Sequence, residues 1–209
     1  MRRVVSLGSV NVDRIVRVSV DELASFAERF DWFPDRGHTV CADDVPADFV
    51  ADADEIRHGG KGANQAAAAA CSEAATTMLG KVGRDHDEFG VLAALVEVGV
   101  DVGPMAVADV PTGAAYVFVG ESGDNRIVLS PGANAAVDRA YVRAQADTVR
   151  DADCLLLQNE IPAAPVASLL ADLVDDPDRP TVILDPAPVE GVAPLIETGA
   201  VDYLTPNEH

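Results

Sequence analysis

Lysine is nearly missing from this chain: Lys61 and Lys81 stand alone among 209 residues, and the remaining basic side chains are all arginine. Against 15 basic residues stand 35 acidic ones, a formal charge of −20. A basic face for a nucleic-acid backbone is thereby excluded as a working expectation. An acidic surface almost free of lysine suits a protein kept soluble in very high salt, where carboxylates hold water and salt screens their repulsion. An acidic protein of an ordinary cytoplasm is the other reading. Cysteine is scarce as well. Cys41, Cys71 and Cys154 fit no C-x-x-C spacing, so reduced thiols in a cytoplasm are expected rather than a zinc or redox pair. No run of ~18 apolar residues occurs, which argues against a spanning helix. Met1-Arg2-Arg3 runs directly into an apolar stretch, which argues against a secretory signal. What is present is core material: 48% of the residues are hydrophobic, too many for a disordered chain.

The apolar runs are short and regularly spaced. Val4–Gly8 predicts a buried strand, and Arg14–Val18 alternates as a strand with one wet face. Residues 21–37 predict a polar connection that contains aromatics. Ala63–Ala75 predicts the clearest helix, being rich in alanine and free of proline. A strand over 76–82 and a helix over 88–98 follow, then a hairpin of 113–120 and 125–130 around Glu121-Ser122-Gly123-Asp124. From Asp138 onward helices (138–150, 163–174, 192–198) alternate with strands (154–158, 181–184, 202–204). Such alternation means βαβ units on a parallel sheet, an α/β fold of Rossmann-like type flanked by helices. A few antiparallel strands, at about 13–18, 38–50 and 113–130, stand apart as a small β flap.

Three places could carry chemistry. His58-Gly59-Gly60-Lys61-Gly62-Ala63-Asn64 leads into the alanine-rich helix, where paired glycines permit close backbone approach and a helix start offers free N–H groups. A plain turn with a solvated lysine is the competing reading. The segment is neither a P-loop nor a dinucleotide fingerprint, since Glu55 and Gly62 occupy the diagnostic positions and no G-x-G-x-x-G follows a strand. Asn11 and Asp13 lie at alternate positions beyond the first strand and point the same way. An amide beside a carboxylate suits vicinal hydroxyls, although an Asx turn needs the same residues. Glu160 and Asp185-Pro186-Ala187-Pro188 follow later strands at their carboxyl ends, where open α/β sheets bind ligands. Either acid serves equally well as a helix cap. The four histidines show no metal-ligand spacing, and Ser9 lacks a nucleophile elbow.

Taken in order, these blocks resemble the ribokinase/phosphofructokinase-B family of carbohydrate kinases. The resemblance rests on G-S-V-N-V-D (8–13), G-G-K-G-A-N-Q-A (59–66), V-G-R-D…F-G (82–90), P-G-A-N-A (131–135), L-Q-N-E-I-P (157–162), D-P-A-P (185–188) and T-P-N-E (205–208). It implies a Rossmann-like domain whose β lid closes over a sugar that ATP phosphorylates with Mg²⁺, with K⁺ as a further cofactor. It places sugar contacts on Asn11, Asp13, Gly59, Gly60, Lys61, Gly62, Asn64 and Glu160, puts Asn207 near the phosphates and metal, and implies a homodimer through the lid.

The last third of the family pattern is not found in the 209 residues. The glutamate of N-x-x-E would fall one residue past His209, and G-A-G-D, which supplies the anion hole and catalytic base in the family, is absent from the 209 residues. The expectation is a single domain over 1–209 amounting to about two thirds of a family member. It would hold sugar-positioning groups without the catalytic and nucleotide-binding part, and be inactive alone. Phosphoryl transfer needs positioned phosphates, a metal and a base together. The alternative is a non-catalytic sugar- or nucleoside-binding module.

Overall fold

The structure, a computed structural model, describes every residue except 43, 44, 47, 48, 51 and 207–209. Asn207 therefore lies outside the described residues.

The chain opens with β1 (Arg3–Leu7), turns at Gly8 and continues as β2 (Asn11–Val18) in a second sheet. Helix α1 (Val20–Arg29) follows, then β3 (Thr39–Cys41) and β4 (Glu55–Gly59). Gly60 leads into α2 (Lys61–Cys71), and β5 (Ala75–Leu79), β6 (Lys81–Val82), α3 (His86–Phe89), α4 (Val91–Glu97), β7 (Val100–Asp101) and β8 (Ala106–Val107) build one flank. The hairpin of β9 (Gly113–Gly120) and β10 (Asn125–Ser130) returns to the second sheet. A 3₁₀ turn over Gly132–Ala136 precedes α5 (Arg139–Ala144), α6 (Ala146–Arg150) and β11 (Cys154–Gln158). Then come α7 (Ala163–Leu173), β12 (Thr181–Asp185), α8 (Ala193–Ile196) and β13 (Tyr203–Leu204).

The main sheet has the order β13-β12-β11-β1-β5-β7 and is parallel throughout, as the βαβ alternation predicts. Its strands alternate between two helical layers. Val5, Leu7, Leu155, Leu157, Val182 and Leu184 pack with Val166, Leu169, Leu170 and Leu173 of α7. On the opposite face Ser6 donates to the Gly62 carbonyl at 2.8 Å, which seats α2 against β1. Alanines let that helix approach closely, and Ala66 is fully buried. The main sheet thus holds the carboxyl ends of β1, β11 and β12 side by side.

The second sheet differs from the expected antiparallel flap. Its order is β3-β10-β9-β2-β4, with β9–β10 and β2–β4 antiparallel but β2–β9 and β3–β10 parallel. The parallel pairs join strands distant in sequence; between β2 and β9 the chain passes through the main body, which supplies the long crossover that parallel neighbours require. Strand β4 has no counterpart among the expected strands, and of the 38–50 stretch the described residues form a strand only over Thr39–Cys41. The connection expected over 21–37 contains instead the helix α1. Ser19 accepts from Glu22 N–H while Glu22 accepts from Ser19 N–H at 2.8 Å, a capping box that fixes its start. Leu23, Phe26, Phe30, Trp32 and Phe33 then cover Val16, Val18, Tyr116, Phe118 and Val128 on one face of the sheet. Strand alternation turns Asn11 and Asp13 to the other face, toward the main sheet.

Candidate functional site

The inner face of the second sheet meets the carboxyl ends of the main sheet in a polar seam. Asn11 and Asp13 enter it from β2, Glu160 from the loop after β11, Asp185 from the end of β12, and Lys61 from the first turn of α2. A cavity of about 130 Å³ is lined by Asn11, Cys41, Leu129, Asn134, Asn159 and Glu160, among others.

The glycines account for how closely these groups approach. Register places Asn11 opposite Gly59 and Asp13 opposite Arg57. A Cβ on Gly59 would come within 2.2 Å of the Asp13 carboxylate, so the carboxylate occupies the space a side chain would take. Gly60 has φ +91 and would crowd the Ser9 carbonyl and Asn11 N–H at 2.8 Å, so only glycine serves there. A Cβ on Gly62 would lie 2.7 Å from the Gly8–Ser9 backbone, so the start of α2 rests directly on that turn.

Asp13 carries a displaced pKa. Burial first, and the nearby charge of Glu160 second, push its pKa up to about 6. Its Oδ1 is buried without a hydrogen-bond partner among the described residues, an acceptor in need of a donor. Glu160 is held from behind: Ser9 Oγ donates to its Oε2 at 2.6 Å and Lys61 N–H donates to the same oxygen at 3.3 Å. The Lys61 ammonium reaches across the seam to Asp185 Oδ2 at 3.0 Å and the Ala187 carbonyl at 3.1 Å. It braces the start of α2 against the loop after β12. Lys81, the other lysine, pairs with Asp138 at 3.3 Å, so both lysines tie elements together.

The expected set does not gather as one. Asn11, Asp13 and Glu160 share the seam, with Gly59, Gly60 and the Lys61 backbone as their frame. Asn64 is exposed and lines a separate depression with His58, Val91 and Leu95. Two buried residues escape the sequence reading. Ser9, which lacks the surroundings of a nucleophile, instead orients Glu160. Asn134, within the P-G-A-N-A block, donates to Asn11 Oδ1 at 2.7 Å. A fixed glycine turn ending in an amide, directly after a strand, is the signal that marks it. Among the described residues no three His, Cys, Asp or Glu side chains converge as metal ligands.

The sequence profile of pfkB family carbohydrate kinases matches residues 42–209. The chain belongs to the pfkB family. Among curated relatives, this pfkB chain is 34% identical over 215 residues to a ribokinase of Schizosaccharomyces pombe, covering all of this chain and 60% of the relative. Among solved structures, an Arabidopsis thaliana ribokinase complexed with ribose and ATP superposes with a TM-score of 0.70 at 30% identity, over 99% of this chain and 60% of that one. An Anopheles gambiae adenosine kinase gives 0.81 at 17% identity, over 98% of this chain and 67% of that one, a likeness of fold alone. The chain spans about 60% of the length of the ribokinases it matches.

Proposed function

We propose that this chain carries the sugar-binding part of a ribokinase-type kinase and that the seam takes ribose or a related sugar. The observation that carries this reading is the pair of carboxylates facing each other across the two sheets, one of them with a buried oxygen in need of a donor. A polyol supplies such donors. Asp13 is mostly ionised above pH 7, given a pKa of about 6, and then accepts from two hydroxyls at once. Glu160, oriented by Ser9 and the Lys61 backbone, accepts from a third, and the second sheet serves as the lid that shuts water out. Asn64, on α2 one turn from Lys61, is the further sugar contact that the family resemblance implies.

Phosphorylation of the bound sugar by ATP, with Mg²⁺ and K⁺ as the resemblance implies, is proposed for the whole enzyme. The 209 residues contain no G-A-G-D to supply a base and anion hole, so the chain alone is expected to bind without turnover. A homodimer through the lid is not favoured by the outer lid face, which α1 and its aromatics already cover; we assign lid closure to a single copy. The acidic, lysine-poor surface supports a high-salt milieu, so the tests belong in molar KCl. Titration calorimetry with D-ribose and an ATP-coupled assay decide the reading. Saturable ribose binding without turnover is expected; turnover by this chain overturns its catalytic silence.

A further inference from the structure

Asn134 sits in the 3₁₀ turn after β10 with 2% of its surface exposed, and its amide is fully engaged. Its Oδ1 accepts from Val10 N–H at 3.0 Å, while its Nδ2 donates to the Val10 carbonyl at 3.2 Å and to Asn11 Oδ1 at 2.7 Å. The backbone fixes which end is which. Val10 N–H only donates, so the atom facing it must be oxygen, and the other end of the amide must be the nitrogen. That nitrogen in turn demands an acceptor from Asn11. The Asn11 oxygen is thereby turned toward Asn134, and its Nδ2 is the end left for the cavity that both asparagines line.

The arrangement is possible because residue 113 is glycine: a Cβ there would lie 2.1 Å from Asn134 Nδ2 and 2.5 Å from Asn11 Oδ1. Gly132, at φ +49 and with no room for a Cβ beside the Pro111 carbonyl, shapes the turn that delivers Asn134.

We propose that Asn134 is a positioning residue that sets the hydrogen-bond polarity of Asn11, so that the site offers a donor there and selects ligands presenting an acceptor oxygen. The proposal rests on the reading of the seam as a sugar site only for its effect on affinity; the polarity itself is a property of the ligand-free chain. The two are tested separately. Asparagine-selective ¹⁵N labelling of the chain, with Asn11→Ala used for assignment, reports the side-chain amides without ligand. The expected result is a protected, slowly exchanging Asn134 amide and a dispersed Asn11 amide that collapses to free-asparagine shifts in Asn134→Ala. An Asn134 amide in the wild type that exchanges as fast as an exposed one overturns the proposal, even if every variant fails to fold.

Ribose titration then forms a double-mutant cycle. Asn134→Ala should weaken binding about tenfold in the wild-type background, as for one lost neutral hydrogen bond, and less than about twofold in Asn11→Ala. Equal losses in both backgrounds mean a merely structural Asn134 and overturn the proposal. If Asn134→Ala does not fold, Asn134→Ser, which keeps an oxygen for Val10 N–H, takes its place with the same expectation. Absence of ribose binding by the folded wild type sinks the sugar reading, while the amide spectra still decide the positioning role.

Discussion

The two sheets of this molecule solve the same burial problem with different side chains. Among the twenty buried residues around β1, β11 and β12, Tyr141 is the single aromatic. Around the second sheet, seven of the chain's ten aromatics gather: Phe26, Phe30, Trp32, Phe33, Phe49, Tyr116 and Phe118. The main sheet has helices on both faces and can be filled with leucine and valine. The second sheet has its aromatic cluster on one face, while Asn11 and Asp13 lie on the other. Aromatic rings bury the most area per residue and interlock at 4.9–5.6 Å in the contacts of Phe49 and Phe118, so a few of them stabilise a sheet covered on one side. The face carrying Asn11 and Asp13 is offset by a heavy aromatic face behind it.

Breaking the aromatic side should give the largest effect. Phe118 is fully buried, and Phe118→Ala is expected to cost about 3–5 kcal/mol. Trp32, the sole tryptophan, belongs to the same cluster, so its fluorescence follows the second sheet while far-UV dichroism follows the helices of the main body. In urea, Phe118→Ala should lose the fluorescence transition ahead of the dichroism. Leu157→Ala in the main sheet should move both together; coincident transitions in both variants would mean that the sheets melt as one unit.

Next in size is Gly59→Ala, whose methyl would displace the Asp13 carboxylate. A folded protein with ribose affinity reduced at least about tenfold is expected, and unchanged affinity would remove Asp13 from the site. Ser9→Ala should weaken ribose binding by a similar or smaller factor, since Glu160 loses a 2.6 Å donor but keeps the Lys61 N–H. Its readout is ribose titration calorimetry, and undiminished affinity would remove Ser9 from the positioning of Glu160.

Asp13 gives the smallest effect and a definite sign. Its folded pKa, about 6, lies above the ordinary 3.8, so the folded state holds the proton more tightly. The favourable contribution is complete below about pH 4 and is lost as pH rises through about 6. Asp13→Asn should therefore stabilise the chain relative to wild type at about pH 8, by on the order of 1 kcal/mol after allowing for partial exposure, and much less at about pH 4. Thermal melts at the two pH values check this, and equal gains at both would contradict the burial of Asp13.

The main sheet is legible in the sequence because its strands are short aliphatic runs with helical spacing between them; the strand expected over 154–158 forms over Cys154–Gln158. The glycine-lysine block and the N-x-D step are legible because few backbones need those residues. The second sheet is less so. Helix α1 is polar enough on average to pass for a connection, and its signal is the capping box Ser19-x-x-Glu22 ahead of an apolar face of Leu23, Phe26 and Phe30 at helical spacing. Strand β4 reads Glu-Ile-Arg-His-Gly and is exposed except at its ends, so no alternation betrays it. Parallel pairing of β2 with β9 depends on the path of the intervening chain, which no local pattern records. Ser9 and Asn134 stay hidden because they act through neighbours, and a buried amide looks like any other until its partners are known.

The inner face of the second sheet binds the sugar in this account, while the outer face only holds the sheet together. Titration calorimetry of D-ribose in molar KCl against Asp13→Ala, Glu160→Ala and Tyr116→Ala tests this division most directly. Saturable binding by the wild type, lost in the two inner-seam variants and retained in Tyr116→Ala, is the predicted result. Wild-type binding that survives both Asp13→Ala and Glu160→Ala, or no ribose binding by the folded wild type, would contradict it.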